Sequence, residues 1–290
     1  MNEFNNDLLN ATGEIPYGLT NDCMFHLVFQ NDMVALKGLI CSVLHLETED
    51  IQEIVVCNPL EIGRTVNSKN FYLDLKIKFN NDTIVNLEMQ IINRGNWPER
   101  SLSYLCRNYD SLEKGEDYKN VNNAIHIGFI DFTLVPGEPE FCSTHMMCNI
   151  KTHKIYTSKF MLKVVELNHT DIATEEDKYY KIDQWAKLFK ATTWEELKMC
   201  ASEDAAMQSV VKMIYEYNEE EAVRDMCRAR REAVAFEEYM QEEKERLQTK
   251  LDTLIEKNAK VKMENAEVKA ENAKLKAEIE QLRRQLEINN

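Results

Sequence analysis

The chain has 290 residues, 44% of them hydrophobic, and a formal net charge of −15. That length predicts one or two domains with enough apolar residues for a real core. No run of about 18 apolar residues occurs, which argues against a membrane-spanning helix, and the acidic balance argues against a broad nucleic-acid-binding surface.

The first 18 residues, MNEFNNDLLNATGEIPYG, carry no basic n-region and no apolar h-region. They are therefore read as a loose polar arm rather than a signal peptide. Thr20 or Asn21 can cap a helix starting at Asp22, with Phe25, Val28 and Phe29 on its apolar face. A second helix is predicted over 32–45, where Leu36, Leu39, Ile40, Val43 and Leu44 fall at helical spacing. Ile51–Cys57 is a short strand candidate, ended by Asn58-Pro59.

Two further strands follow, FYLDLKIKF (71–79) and TIVNLEMQII (83–92). Phe71, Leu73, Leu75, Ile77 and Phe79 alternate with Tyr72, Asp74, Lys76 and Lys78; Val85, Leu87, Met89 and Ile91 alternate with Asn86, Glu88 and Gln90. Strict alternation marks half-buried strands. With Asn80-Asn81-Asp82 as a three-residue loop, Phe79 faces Thr83, Lys76 faces Asn86, Asp74 faces Glu88 and Tyr72 faces Gln90. A slip by one residue would set the apolar row against the polar row, so the pattern specifies the register. Asp74 and Glu88 are then cross-strand neighbours, with Cβ atoms roughly 4.5–5.5 Å apart. Like charges at that range destabilise a sheet; either one carboxyl holds a proton or a cation sits between them. Oxygen donors suit a hard divalent ion such as Mg2+ or Mn2+.

Asn93–Asn96 is a turn, and a helix is predicted from Trp97 to about Lys114, with Pro98 in its first turn and Gly115 as its stop. Arg100, Tyr104 and Arg107 share one face of it. Ala124–Leu134 reads as a central strand, 141–149 and 154–167 as a further strand pair, and the chain from Lys178 onward as helix. The order α, β, β, β, α, β predicts a mixed α/β core. Eight cysteines without a CxxC pair, most of them in apolar runs, predict reduced thiols in a cytosolic protein. Cys142, His145, Cys148 and His153 fit no common zinc spacing. His26, His45, His126 and His169 stand in apolar surroundings and are read as structural.

The C-terminal stretch is a heptad array. Leu247, Leu254, Val261, Val268, Leu275 and Leu282 form the d row; Leu251, Asn258, Asn265, Asn272, Ile279 and Leu286 form the a row. Asn at a favours two strands in register. Glu264, Glu271 and Glu278 at g each precede a base at the following e, namely Lys269, Lys276 and Arg283, which favours a parallel pair; Lys257 against Lys262 is the repulsive exception. A parallel homodimer through 247–286, about 60 Å of helix, is expected.

The segments LTNDCMFHLVF (19–29), FYLDLKIKF (71–79), VNLEMQ (85–90), RSLSYLCRNY (100–109), GEDYKNVNNAIHIGFIDFTL (115–134) and VVEL (164–167), in that order, resemble the recombination-promoting nuclease or transposase family of the PD-(D/E)xK superfamily. The resemblance implies an α/β, restriction-endonuclease-like core over 19–190, with the arm (1–18) before it and a helical extension (191–240) and coiled coil (241–290) after it. It implies a metal-dependent DNA endonuclease. Asp74 and Glu88 would hold Mg2+ or Mn2+, joined by Asp22 and the Met89 carbonyl, and Gln90 would stand in the place of the usual motif lysine. Leu73 replaces the usual proline. Lys76, Arg100 and Tyr104 are candidates for contact with the substrate. Because residues 1–170 hold 14 Lys+Arg against 22 Asp+Glu, DNA has to be met through a local patch and bound metal. The alternative is a degenerate nuclease fold acting as a dimeric binding or scaffold protein; RNA is a further candidate substrate.

Overall fold

A computed structural model of the chain describes residues 6–57, 75–80, 82–110, 112 and 115–288, with side chains to 284. Helices α1 (Asn6–Asn10), α2 (Asp22–Asn31) and α3 (Met33–Leu44) precede strands β1 (Ile54–Val56), β2 (Leu75–Phe79) and β3 (Thr83–Gln90). Helix α4 (Trp97–Tyr109) leads into β4 (Asn123–Ile130), followed by β5 (Cys142–Met146) and β6 (Phe160–Glu166). The helices α5 (Glu175–Tyr179), α6 (Ile182–Lys190), α7 (Trp194–Cys200), α8 (Ala205–Glu219) and α9 (Glu221–Ile288) complete the chain.

The strands form one sheet in the order β1-β2-β3-β4-β6-β5. β3, β4 and β6 run parallel, and the remaining pairs are antiparallel. The β2–β3 register is the one predicted from the alternation: Phe79 pairs with Thr83, Lys76 with Asn86 and Leu75 with Leu87. At the turn Asn80 adopts φ 49°, a left-handed conformation that Asn tolerates. Its side chain also accepts from Gln52 N–H (2.9 Å) and donates to the Asp50 carbonyl (2.6 Å), tying the turn to the chain entering β1.

Each sheet face is covered. On one, Leu75, Ile77, Val85, Leu87, Met89, Ile127 and Phe129 pack against α2, α3, α6 and α8. Phe25, Phe29, Phe129, Trp185 and Phe189 meet there with ring centroids 4.9–6.0 Å apart. Such pairs add about 0.5–1.5 kcal/mol each beyond their burial. Asn21 caps α2 by accepting from Cys23 and Met24, and Asp32 caps α3 by accepting from Val34 and Ala35. On the other face α4 lies over Ala124, Ile130, Leu162 and Val164 with Trp97 and Leu105. β3 is thus buried on both sides, and its polar row is interior rather than solvated.

Several expectations are corrected. Residues 6–18 are no loose arm: Leu8 is buried, Ile15 N–H donates to Thr192 O, Trp194 N–H to Gly13 O, and Lys198 Nζ donates to the Leu9 and Ala11 carbonyls. The segment is pinned because its backbone groups find partners in and before α7. Helix α4 ends at Tyr109 instead of Lys114; its buried positions Trp97, Ser101, Leu105 and Asn108 run out there, and Asp110 N–H closes on Cys106 O. The boundary expected at residue 190 is not marked by packing, since Trp194, Leu197, Met207, Val210, Val211 and Ile214 belong to the same core as α2 and α3. The first compact unit runs to Val234, and Ala235–Asn290 form the second, whose described residues are the remainder of α9. Within that second unit Leu247, Leu251, Leu254, Val261, Val268, Leu275, Ile279 and Leu282 are exposed. Among the described residues no single helix is long and apolar enough to cross a membrane.

Candidate functional site

Cross-strand neighbours share a face, so the ladder says what gathers under α4. Lys76 pairs with Asn86, Asn86 pairs in turn with His126, and Glu88 pairs with Gly128. This row is the polar one of β3, and β4 completes it with a glycine. A Cβ on Gly128 would collide with the indole of Trp97, the first residue of α4. The missing side chain therefore lets α4 lie close to the sheet, which brings Arg100 and Tyr104, one and two turns further on, over Glu88 and His126.

Glu88 is only 4% exposed. Its Oε1 accepts from Arg100 Nε at 2.6 Å, a short charge-assisted bond, and Oε2 lies 3.5 Å from His126 Nε2. His126 is fully buried, its Nδ1 3.1 Å from Asn86 Nδ2. The Tyr104 ring stacks on the imidazole at 5.8 Å and 11°, and Trp97 approaches at 5.7 Å. Arg100 and Arg107 lie 5.4 and 5.9 Å from the Tyr104 ring centre, within cation–π range. Burial pushes the His126 pKa down from 6.5 to about 3, assisted by the Arg100 charge. The ring is therefore neutral at ordinary pH and has one N–H to place.

The other predicted site residues are distributed as follows. Lys76 shares this face, opposite Asn86. Arg100 and Tyr104 stand at the site, as just described. Gln90 lies at the end of β3 with its Nε2 donating to the Ile92 carbonyl at 2.7 Å. Met89 turns its side chain into the opposite core. Asp22, in the first turn of α2, is held by Arg230 of α9, whose Nε lies 2.8 Å from both carboxylate oxygens. Asp74 lies outside the described residues. Two members of the cluster were not singled out by the sequence. Asn86 passed as a polar strand residue, and His126, read as structural, touches Glu88. The available signal was the alternation in AIHIGFI: Ala124, His126, Gly128 and Ile130 form the row facing α4, where a histidine beside a glycine is out of place in an apolar layer.

Among the described residues no group of three or more His, Cys, Asp and Glu side chains is placed to hold a metal ion. Glu88 supplies one buried oxygen-donor group of the kind hard cations take.

No curated protein and no solved structure matches the chain. A family model described as PD-(D/E)XK nuclease family transposase matches residues 19–242, from just before α2 into α9 and across every strand of the sheet. With the six-stranded mixed sheet, its flanking helices and a buried glutamate on β3, this match establishes that the chain belongs to the PD-(D/E)XK nuclease family of transposases.

Proposed function

We propose that the chain is a divalent-metal-dependent DNA endonuclease that promotes recombination, hydrolysing phosphodiester bonds at the site built around Glu88. The observation that carries this reading is a glutamate buried on β3, paired with Arg100 through one oxygen and lying 3.5 Å from His126 Nε2 through the other. A glutamate is almost never fully buried unless it is paired or used. The alternation in the sequence pairs Asp74 with Glu88, and on this reading these two carboxylates, with Asp22 and the Met89 carbonyl as further ligands, would hold Mg2+ or Mn2+. When bound, such an ion supplies Lewis-acid polarisation of the phosphate and acidifies a bound water.

The chain's own groups do the rest. Arg100 presents a planar guanidinium at the mouth of the site, 35% exposed, which suits it to bind a phosphate oxygen. Lys76 adds a second positive charge on the same face, and Gln90 can orient a water by hydrogen bonding but cannot take its proton. Two copies joined in parallel through 247–286 would carry two sites, as strand exchange between DNA segments requires. The eight free thiols suit a reducing, cytoplasmic setting.

A second reading is supported by the Arg100–Glu88 bond itself: a carboxylate neutralised at 2.6 Å is satisfied without an ion, as a degenerate site in a scaffold protein would be. Plasmid cleavage separates the two. The nuclease reading expects nicking or linearisation with Mg2+ or Mn2+, abolished by EDTA, by Asp74→Ala and by Glu88→Gln. A folded protein that cleaves neither DNA nor RNA and binds no Mn2+ by calorimetry is the scaffold.

A further inference from the structure

We infer that Asn86 and His126 form a relay that fixes the Glu88 carboxylate: Asn86 donates to Nδ1 of His126, so that Nε2–H points at Glu88. His126 is on this account a positioning residue. The inference deepens the nuclease reading and rests on it for its consequence in metal binding.

Three observations lead to it. The three side chains stand in line on neighbouring strands, with Asn86 Nδ2 at 3.1 Å from Nδ1 and Nε2 at 3.5 Å from Glu88 Oε2. Residues Asn86 and His126 are register partners, so the contact is set by the ladder itself. The ring is clamped by Tyr104 on one side and approached by Trp97, and it is fully buried.

A neutral imidazole has one donor and one acceptor nitrogen. With Nδ1 protonated, the ring would meet the Asn86 amide hydrogens with a hydrogen of its own and turn a lone pair toward a carboxylate. With Nε2 protonated, both contacts are favourable. The amide of Asn86 has only one orientation consistent with that tautomer, the one in which it donates. The 3.5 Å separation exceeds an ordinary N–H···O bond, and hydrogen bonds at catalytic groups are commonly long before ligands bind and tighten afterwards. Arg100 holds the other oxygen, so the carboxylate is gripped at both ends and its plane is set. Partners of this kind, one bond removed from a ligand, change metal affinity or activity by about 10–100-fold when removed.

The first test needs no metal. Long-range 1H–15N NMR on 15N-histidine-labelled full-length protein, with the His126 signals identified by their loss in His126→Gln, reports the tautomer directly. A pyrrole-type Nε2 and pyridine-type Nδ1 are expected; the reverse pattern overturns the relay. The second test compares His126→Gln, whose amide nitrogen can replace Nε2–H, with His126→Asn, whose shorter amide replaces only the Nδ1 end. Calorimetric Mn2+ affinity is expected to fall about tenfold or more in His126→Asn and to stay within about threefold of wild type in His126→Gln. Equal affinities in the two folded variants overturn the positioning role. If the wild type binds no Mn2+, the metal reading of the site fails, while the NMR result still decides the relay.

Discussion

Gly128→Ala is the sharpest perturbation of this site, because intrinsic propensity and packing pull in opposite directions. Alanine is better than glycine inside a strand by roughly 0.5–1 kcal/mol, so a site with room would be stabilised. Here the added methyl would come closer than 3.0 Å to Cζ2 and Cη2 of Trp97, where ordinary carbon contacts are about 3.5–4.0 Å. Trp97 cannot retreat freely: it is 3% exposed and packed in the cluster with Leu105, Ala124, Ile130, Leu162 and Val164. Overpacking of this kind costs about 1–3 kcal/mol. For a compact unit of this size that lowers Tm by roughly 2–10 °C. Thermal melts of Gly128→Ala, Trp97→Leu and the double variant test the cause. The smaller side chain makes the space, so Gly128→Ala should become neutral or stabilising in the Trp97→Leu background, with a coupling of about 1 kcal/mol or more. A Gly128→Ala protein more stable than wild type, or additive losses in the double variant, would refute the close seating of α4 on β4.

Stability should also fall with acidification through His126. Its folded-state pKa of about 3 lies below the usual 6.5, so the unfolded chain takes up a proton that the native protein excludes. The stabilisation is complete above about pH 6.5 and is lost as pH falls toward 3, by at most roughly 4–5 kcal/mol. Urea titrations at several pH values should show a shallower acid slope for His126→Gln, and identical slopes would count against the buried neutral ring. Arg230→Ala should destabilise the first unit by about 1–3 kcal/mol, because Asp22 loses a two-oxygen ion pair in a mostly buried setting; an unchanged denaturation midpoint would show that pair to be inert. On the proposed parallel dimer, replacing Asn258, Asn265 and Asn272 together with Leu should raise the melting temperature and loosen the choice of two strands, seen as larger species by sedimentation. A wild-type chain that stays monomeric at tens of micromolar would remove the dimer.

What was readable in the sequence follows from period. The β2–β3 register was legible because one row of each strand is wholly apolar and an odd slip would set that row against the polar one. Helix α2 was legible through Asn21, whose side chain caps it as its type predicts, and α3 through the helical spacing of Leu36, Leu39, Ile40, Val43 and Leu44. The end of α4 was not, since a glycine at 115 is a visible stop while the loss of packing after Asn108 depends on where the sheet lies. The anchoring of residues 6–18 was hidden for the same reason: its partners, Thr192, Trp194 and Lys198, stand almost 180 residues away. The site divides in the same manner. Glu88 and Arg100 announce themselves by charge, whereas Asn86 and His126 become functional candidates only once β4 is known to run parallel beside β3.

The acidity of the chain sharpens what the site must do to meet DNA. Residues 235–290 hold 13 Asp+Glu against 11 Lys+Arg, so −13 of the net −15 belongs to the first unit rather than to the helical tail. A polyanion approaching that unit meets net repulsion. The α4 face is where cationic groups collect: Lys76 and Lys78 project to that side of β2, and Arg100 and Arg107 lie one above the other on α4 beside Tyr104. Arg107, exposed and on the same helix as Arg100, adds a second guanidinium for an incoming phosphate. Binding through so few charges predicts weak association with a shallow salt slope, about 0.9 per phosphate neutralised on duplex DNA. For two to four such contacts the slope of log K against log salt is roughly −2 to −4. Fluorescence anisotropy with labelled duplex in EDTA measures it, and Arg107→Ala should reduce the magnitude by about one. A slope near −8, or one untouched by Arg107→Ala, would mean that DNA is held by a different and larger surface than the face under α4.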